Sequence, residues 1–183
     1  MSGGGHVDPS NKKIALQIAI LAVVLAFSET LGKGAQTAAL SYNIEASNLW
    51  SFFQAKTIRQ TTMRTEAESL EAQFGDKATD VVKKQIDKWK KTAERYQSEP
   101  ETNEGRKELA DRAKKAEEKR DKSLAAYHHY ETASAAVQIA IVLASAEVIT
   151  SVIALGWASA ALGVVAVTFC VIGYFWPMSV HFF

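Results

Sequence analysis

Gln17, Glu29, Gln138 and Glu147 stand inside or at the ends of apolar runs, where a polar side chain is costly unless another polar group meets it. Two kinds of chemistry use such residues. A carboxyl group among apolar side chains, Glu147 above all, can pass a proton or cation through a non-polar layer. Amide and carboxyl groups can instead pair between two helices and clamp them. Spacing favours the clamp. If two antiparallel helices enter one face near Ser10 and the opposite face near Ala133, Gln17 and Glu147 lie roughly 10 Å and 9 Å below the first face, at ~1.5 Å per residue. Glu29 and Gln138 then both lie near the second. Gln17 is expected beside Glu147, and Gln138 beside Ser28 or Glu29.

Little else in the chain is equipped for chemistry. There is no glycine-rich phosphate loop, zinc spacing or nucleophile elbow, so no enzymatic activity, cofactor or metal is expected. His128 and His129 are neighbours and point about 100° apart on a helix, a poor chelating pair. His128 with Glu131, three residues on, makes at most half of a carboxylate-type metal site. Cys170 is the single cysteine and has no internal disulfide partner.

The elements that would position these residues follow from hydropathy. A mean hydropathy of -0.07 and a net charge of +1 resemble an ordinary soluble domain only because they average unlike segments. Of the 21 lysines and arginines, 18 fall in residues 56–131, with 16 of the 20 acids. That mixed-sign, near-neutral stretch reads as a solvated helical surface, not as the one-sided basic stripe of a nucleic-acid binder. On either side lie apolar runs at 14–27, 133–156 and 158–176, the lipid bilayer being the partner they imply. Ser10 and its neighbours offer a helix start; Gly32 and Gly34 offer a stop. No small-x-small cleavage site follows Phe27 promptly, so the first run is expected to remain as a span. The second and third runs are separated by Leu155, Gly156 and Trp157, which suggests a tight hairpin, and Pro177 ends the last helix.

The fold class expected is therefore all-α: three transmembrane helices with a long helical, coiled-coil-like extramembrane insertion between the first and second. Residues 1–9 form a tail, 10–32 the first span, 36–132 the insertion and 133–183 a transmembrane hairpin. Within the insertion, Ala39, Tyr42, Ala46, Leu49, Phe53, Lys56, Gln60, Met63, Ala67, Leu70 and Phe74 alternate by three and four, a heptad seam weakened at its centre by Lys56 and Gln60. Gly75 and Asp76 break it. Val82, Ile86, Trp89, Ala93 and Tyr96 form a second seam, and residues 100–105 a loop. A third seam, Leu109, Ala113, Ala116, Arg120, Ser123, Tyr127 and Tyr130, keeps its phase into Ser134 and Val137, so one helix is expected from about 106 to 149. At ~1.5 Å per residue, 36–74 rises about 58 Å, and 77–97 with 106–132 returns about 72 Å, which is one helix out and two back. Trp50, Phe52 and Phe53 lying flat on the bilayer surface is the alternative.

Residues 43–60, with Trp50, Gln54, Ala55 and Lys56 as the most specific block, and 137–145 resemble a family of small bacterial membrane proteins known only as a domain of unknown function (family 4337). The resemblance implies a multi-pass bacterial inner-membrane protein with one span, a helical insertion and two closing spans, and it implies no activity. The chain departs from the family after its second span, where residues 150–157 lack basic side chains.

Lys12 and Lys13 before the first span favour a cytoplasmic N-terminus and a periplasmic helical region; Lys33 and the lysines of 114–122 favour the reverse, but a long loop can translocate despite its charge, so the first orientation is expected. Seams rich in Ala, Lys and Gln gain little from burial in a lone bundle, so a homo-oligomer or a subunit of a larger membrane complex is expected. Trp50, Phe53, Gln54, Lys56, Ala158 and Gly163 are the candidate partner surface. A structural or accessory role is thus favoured, a small channel or transporter through Glu147 being the alternative.

Overall fold

A computed structural model describes residues 9–179. Among them are four α-helices and no strand: α1 (Pro9–Phe74), α2 (Asp80–Gln97), α3 (Arg106–Thr150) and α4 (Ile153–Phe175), with one 3-10 turn (Gly75–Lys77) after α1. The all-α class holds, and α1, α3 and α4 are each long and apolar enough to cross a membrane. Of the tail expected at residues 1–9, residues 1–8 lie outside the described residues and Pro9 begins α1.

Sequence periodicity explains most boundaries. Gly75 takes a left-handed φ of 47°, which ends α1 where the break was expected. Thr79 caps α2 through its hydroxyl, which accepts from the Val82 amide. The α3 helix runs unbroken, since its three-four alternation meets neither Gly nor Pro. Two expectations fail. Helix α1 does not stop at Gly32 or Gly34: Gly32 is buried with the Tyr130 Cβ 3.4 Å from where its own Cβ would be, so its small size serves packing. The turn between α3 and α4 lies at Ser151 and Val152, not at 155–157. Ser151 supplies the left-handed residue (φ 56°), and Gly156 belongs inside α4.

The chain divides into two compact units, residues 1–40 with 121–183, and residues 41–120. In the first, apolar unit, the core is Leu21, Ala133, Val137, Ala140 and Ala166, flanked by Val24, Leu25, Leu162, Phe169 and Cys170. Helix α4 turns its smallest residues inward: Gly156, Ser159, Gly163, Ala166 and Gly173 are its buried positions. A Cβ on Gly163 would stand 2.8 Å from Leu21 Cδ2, and one on Gly173 2.9 Å from His129 Cβ, so helix backbones approach closely there.

The second, charged unit packs by its seams. Ala46, Leu49, Leu109, Ala113 and Ala116 form its core cluster, with Trp50, Phe52 and Phe53 against it. The apolar seam residues Ala67, Ile86 and Ala93 are also buried. Apart from the buried Lys56, the charges mostly lie outward, as a three-four stripe requires.

Candidate functional site

The apolar unit contains an open cavity of about 340 Å³ lined by Lys13, Ile14, Gln17, Glu147, Ile153, Gly156, Trp157 and Ala160. Helix α1 supplies the first three, the end of α3 supplies Glu147, and the first two turns of α4 supply the rest. The α4 helix can reach the site because Gly156 has no side chain: a Cβ there would stand 1.9 Å from the Glu147 Oε2 atom. The Glu147 carboxylate thus lies across the α4 backbone.

Gln17 and Glu147 do line one cavity, as the antiparallel register implied, but they are not the expected amide–carboxyl pair. The Gln17 amide donates instead to Ser159 Oγ (2.8 Å) and to the Gly156 carbonyl (3.2 Å). The reason is the third helix, which a two-helix register omits and whose small residues bring a hydroxyl and a carbonyl nearer to Gln17. No hydrogen bond or ion pair joins Glu147's carboxylate to another described residue, although Lys13 shares its cavity.

The second expected pair does not form. Glu29 and Gln138 are both exposed, and no hydrogen bond joins them. Buried Ser28 is the polar contact at this level, accepting from Ser134 Oγ at 2.9 Å, one helical turn before Gln138. Nearby, His129 is buried, stacks on Phe169 and has Nε2 3.2 Å from the Pro177 carbonyl, which ties the end of α4 to α3. His128 points away and lies 3.7 Å from Glu131. Among the described residues no group of three metal-ligating side chains occurs.

In the charged unit the residues expected to weaken the seam are its most connected. Lys56 is buried, 3.5 Å from Glu99 and 3.9 Å from Glu104, with its ammonium over the rings of Phe52 (5.4 Å) and Tyr96 (5.2 Å). Gln60 donates to the Ala93 carbonyl (3.0 Å) and to Gln97 (3.1 Å), and accepts from the Arg106 guanidinium, which also reaches Gln97 (3.1 Å) and covers the Phe53 ring. Glu108 closes the loop by accepting from the Ser98 hydroxyl (2.6 Å) and the Glu99 amide (3.1 Å). The Ser98 hydrogen bond is the main reason that its carboxyl titrates below the ordinary value. Sequence reasoning missed Gln97, Glu99, Arg106 and Glu108; a buried Lys and Gln in a seam were the signal that partners must come from elsewhere.

This changes the expected partner surface. Trp50 donates to Glu117 at 2.9 Å and packs edge-on against Phe53, Lys56 is enclosed, and Gly163 is buried against Leu21. All four are used within the chain, and only Gln54 and Ala158 keep exposed side chains.

No curated protein and no solved structure is detectably similar to the chain. One family model matches residues 10–176, which takes in all four helices up to the residue after α4, and the chain therefore belongs to the family described as a domain of unknown function (DUF4337).

Proposed function

We propose that the chain is a non-enzymatic integral membrane protein acting as a structural or accessory subunit, either of a homo-oligomer or of a larger membrane complex. One observation carries the reading. Among the described residues, the large exposed apolar side chains belong to the apolar unit with four exceptions, Ile44, Ile58, Phe74 and Val81, while glycine, alanine and serine make up most of that unit's interior. Such an inside-out distribution suits a hydrocarbon solvent, in which small residues let helices pack and large ones face lipid. The buried polar residues of both units, Ser28, Lys56, Gln60, His129 and Ser159, are committed to contacts between chain segments, which supports a structural role over a catalytic one.

In this reading α1, α3 and α4 cross a bacterial inner membrane, the N-terminus is cytoplasmic, and the charged unit is a coiled-coil-like periplasmic part. The exposed Gln54 and Ala158 belong to the partner-facing surface. Cysteine variants at Ser10 and Gln97, labelled from one side of the membrane, test the orientation: Gln97 reacts from the periplasm and Ser10 does not. Mass in native nanodiscs tests the assembly, and a single-copy particle without partner at every concentration would end the subunit reading. A small homo-oligomeric channel or transporter is the second reading, favoured by the carboxylate of Glu147 facing an open cavity.

A further inference from the structure

We propose that the cavity between α1, the end of α3 and the start of α4 binds the headgroup of a lipid carrying a phosphate and a primary ammonium group, of the phosphatidylethanolamine kind. This rests on the membrane reading above.

The cavity has two unlike walls. Lys13, Gln17 and Glu147 are polar; Ile14, Ile153, Trp157 and Ala160 are apolar. At about 340 Å³ it falls within the range of small-molecule sites. It carries one cation and one anion that do not pair with each other. Gln17 does not hydrogen-bond Glu147, because its amide N–H groups are spent on Ser159 and the Gly156 carbonyl. Glu147 is only partly exposed, so an ionised carboxylate there gains strongly from a donor brought by a ligand.

A zwitterion fits those two charges. Its ammonium donates to Glu147 and its phosphate meets the Lys13 ammonium at the rim, while Ile153 and Trp157, both largely exposed, offer apolar surface to the acyl chains. Tryptophan favours the level where headgroup meets hydrocarbon. The arrangement also discriminates. A quaternary choline headgroup has no N–H to donate to Glu147, and a glycerol headgroup leaves a net negative charge beside it.

The test uses the full chain, delipidated and mixed with equal amounts of phosphatidylethanolamine, phosphatidylcholine and phosphatidylglycerol of identical acyl chains, with bound lipid read by native mass spectrometry. The ethanolamine lipid should be retained about ten-fold over the other two, the gain expected of one charge-assisted hydrogen bond. Glu147→Gln should erase that preference. Lys13→Gln, which leaves the carboxylate in place, should lower retention of both zwitterionic lipids and preserve the ratio between them. Equal retention of ethanolamine and choline lipids by the native chain, or an unchanged preference in Glu147→Gln, overturns the proposal. So does equally tight binding of soluble glycerophosphoethanolamine, which would make the ligand a free zwitterion. Alkaline carbonate extraction separates the two levels: a chain released from vesicles overturns the membrane reading, and a chain that stays without lipid preference overturns this site alone.

Discussion

The apolar unit and the charged unit obey the same helical period and differ most in what they turn outward, since alanine lines the core of both. In the apolar unit the inward stripe of α4 is Gly156, Ser159, Gly163, Ala166 and Gly173, while Val164, Val165, Val167 and Val171 face outward. In the charged unit Ala46, Leu49, Leu109, Ala113 and Ala116 face inward with Phe53 partly covered, and apart from the buried Lys56 the lysines and glutamates mostly face outward. On the proposed membrane reading, the contrast teaches what each solvent rewards. Water drives large apolar side chains inside at about 25 cal/mol per Å². Hydrocarbon gives no such reward, so close backbone approach decides which residues go in. Polar groups follow a similar division: separate contacts in the apolar unit, Gln17 with Ser159 and the Gly156 carbonyl, Ser28 with Ser134 and His129 with the Pro177 carbonyl, against a connected network around Gln60 in the charged one.

Substitutions can break this contrast, and the largest effect is expected at Leu109. It is fully buried, and Leu109→Ala should cost about 3 kcal/mol, seen as a lower midpoint in denaturant unfolding followed by circular dichroism. A loss under about 1 kcal/mol would mean that the charged unit is not held by a water-driven core. Gln60→Leu comes next, at about 2 kcal/mol, because it strips one acceptor from the Arg106 guanidinium and one donor from the Ala93 carbonyl. A more stable variant would show the network to be a liability, as buried polar clusters sometimes are.

In the apolar unit the sensitive changes are additions. Gly173→Ala should cost roughly 1–2 kcal/mol, since the new methyl meets the Cβ of His129 and lies 3.4 Å from the Ala126 carbonyl oxygen. Detergent unfolding by heat would show it, while Val164→Ala, on the outward face, should change little. Gln17→Leu should weaken the α1–α4 contact by only about 1 kcal/mol, at ~0.6 kcal/mol for each of two hydrogen bonds, and a loss of several times that would assign the amide a role beyond them.

The smallest effect is a titration. Glu108 is held below its ordinary 4.5, chiefly by the Ser98 hydroxyl, so its contribution to closing the loop is present above pH 4.5 and is lost as pH falls through the lowered value. The Glu99 amide proton, followed by NMR, should therefore shift with a midpoint below 4.5. A midpoint at or above 4.5 would mean that the Ser98 contact does not hold in solution.

Periodicity made the three seams legible, because a three-four stripe fixes which face is buried whatever lies opposite. Ala46, Leu49, Ile86, Ala93, Leu109, Ala113 and Val137 are all buried where that phase puts them. Glycine was harder to read, since it either ends a helix or lets one approach another. Gly75 does the first; Gly32 and Gly156 do the second, and only the neighbours Tyr130 and Glu147 reveal it. Pairing was legible as far as it involved two helices. The antiparallel register brought Gln17 and Glu147 to one cavity, but Ser159 lies on a third helix that no sum over the first two includes. Lys56 and Gln60 looked like defects because their partners sit at the end of α2, in the turn after it and at the start of α3, far along the chain.

That distance has a consequence for biosynthesis. Lys56 and Gln60 leave the ribosome well before Gln97, Glu99 and Arg106, and until those residues emerge the seam of α1 has a cation and an amide with nothing to bury them against. The first charged half of α1 must wait, hydrated, while all of α2 is translated. Closure of the charged unit is therefore a late event that begins only when the loop before α3 has been made, and a chain stalled anywhere before Arg106 would present Phe53, Lys56 and Gln60 together to whatever holds nascent chains.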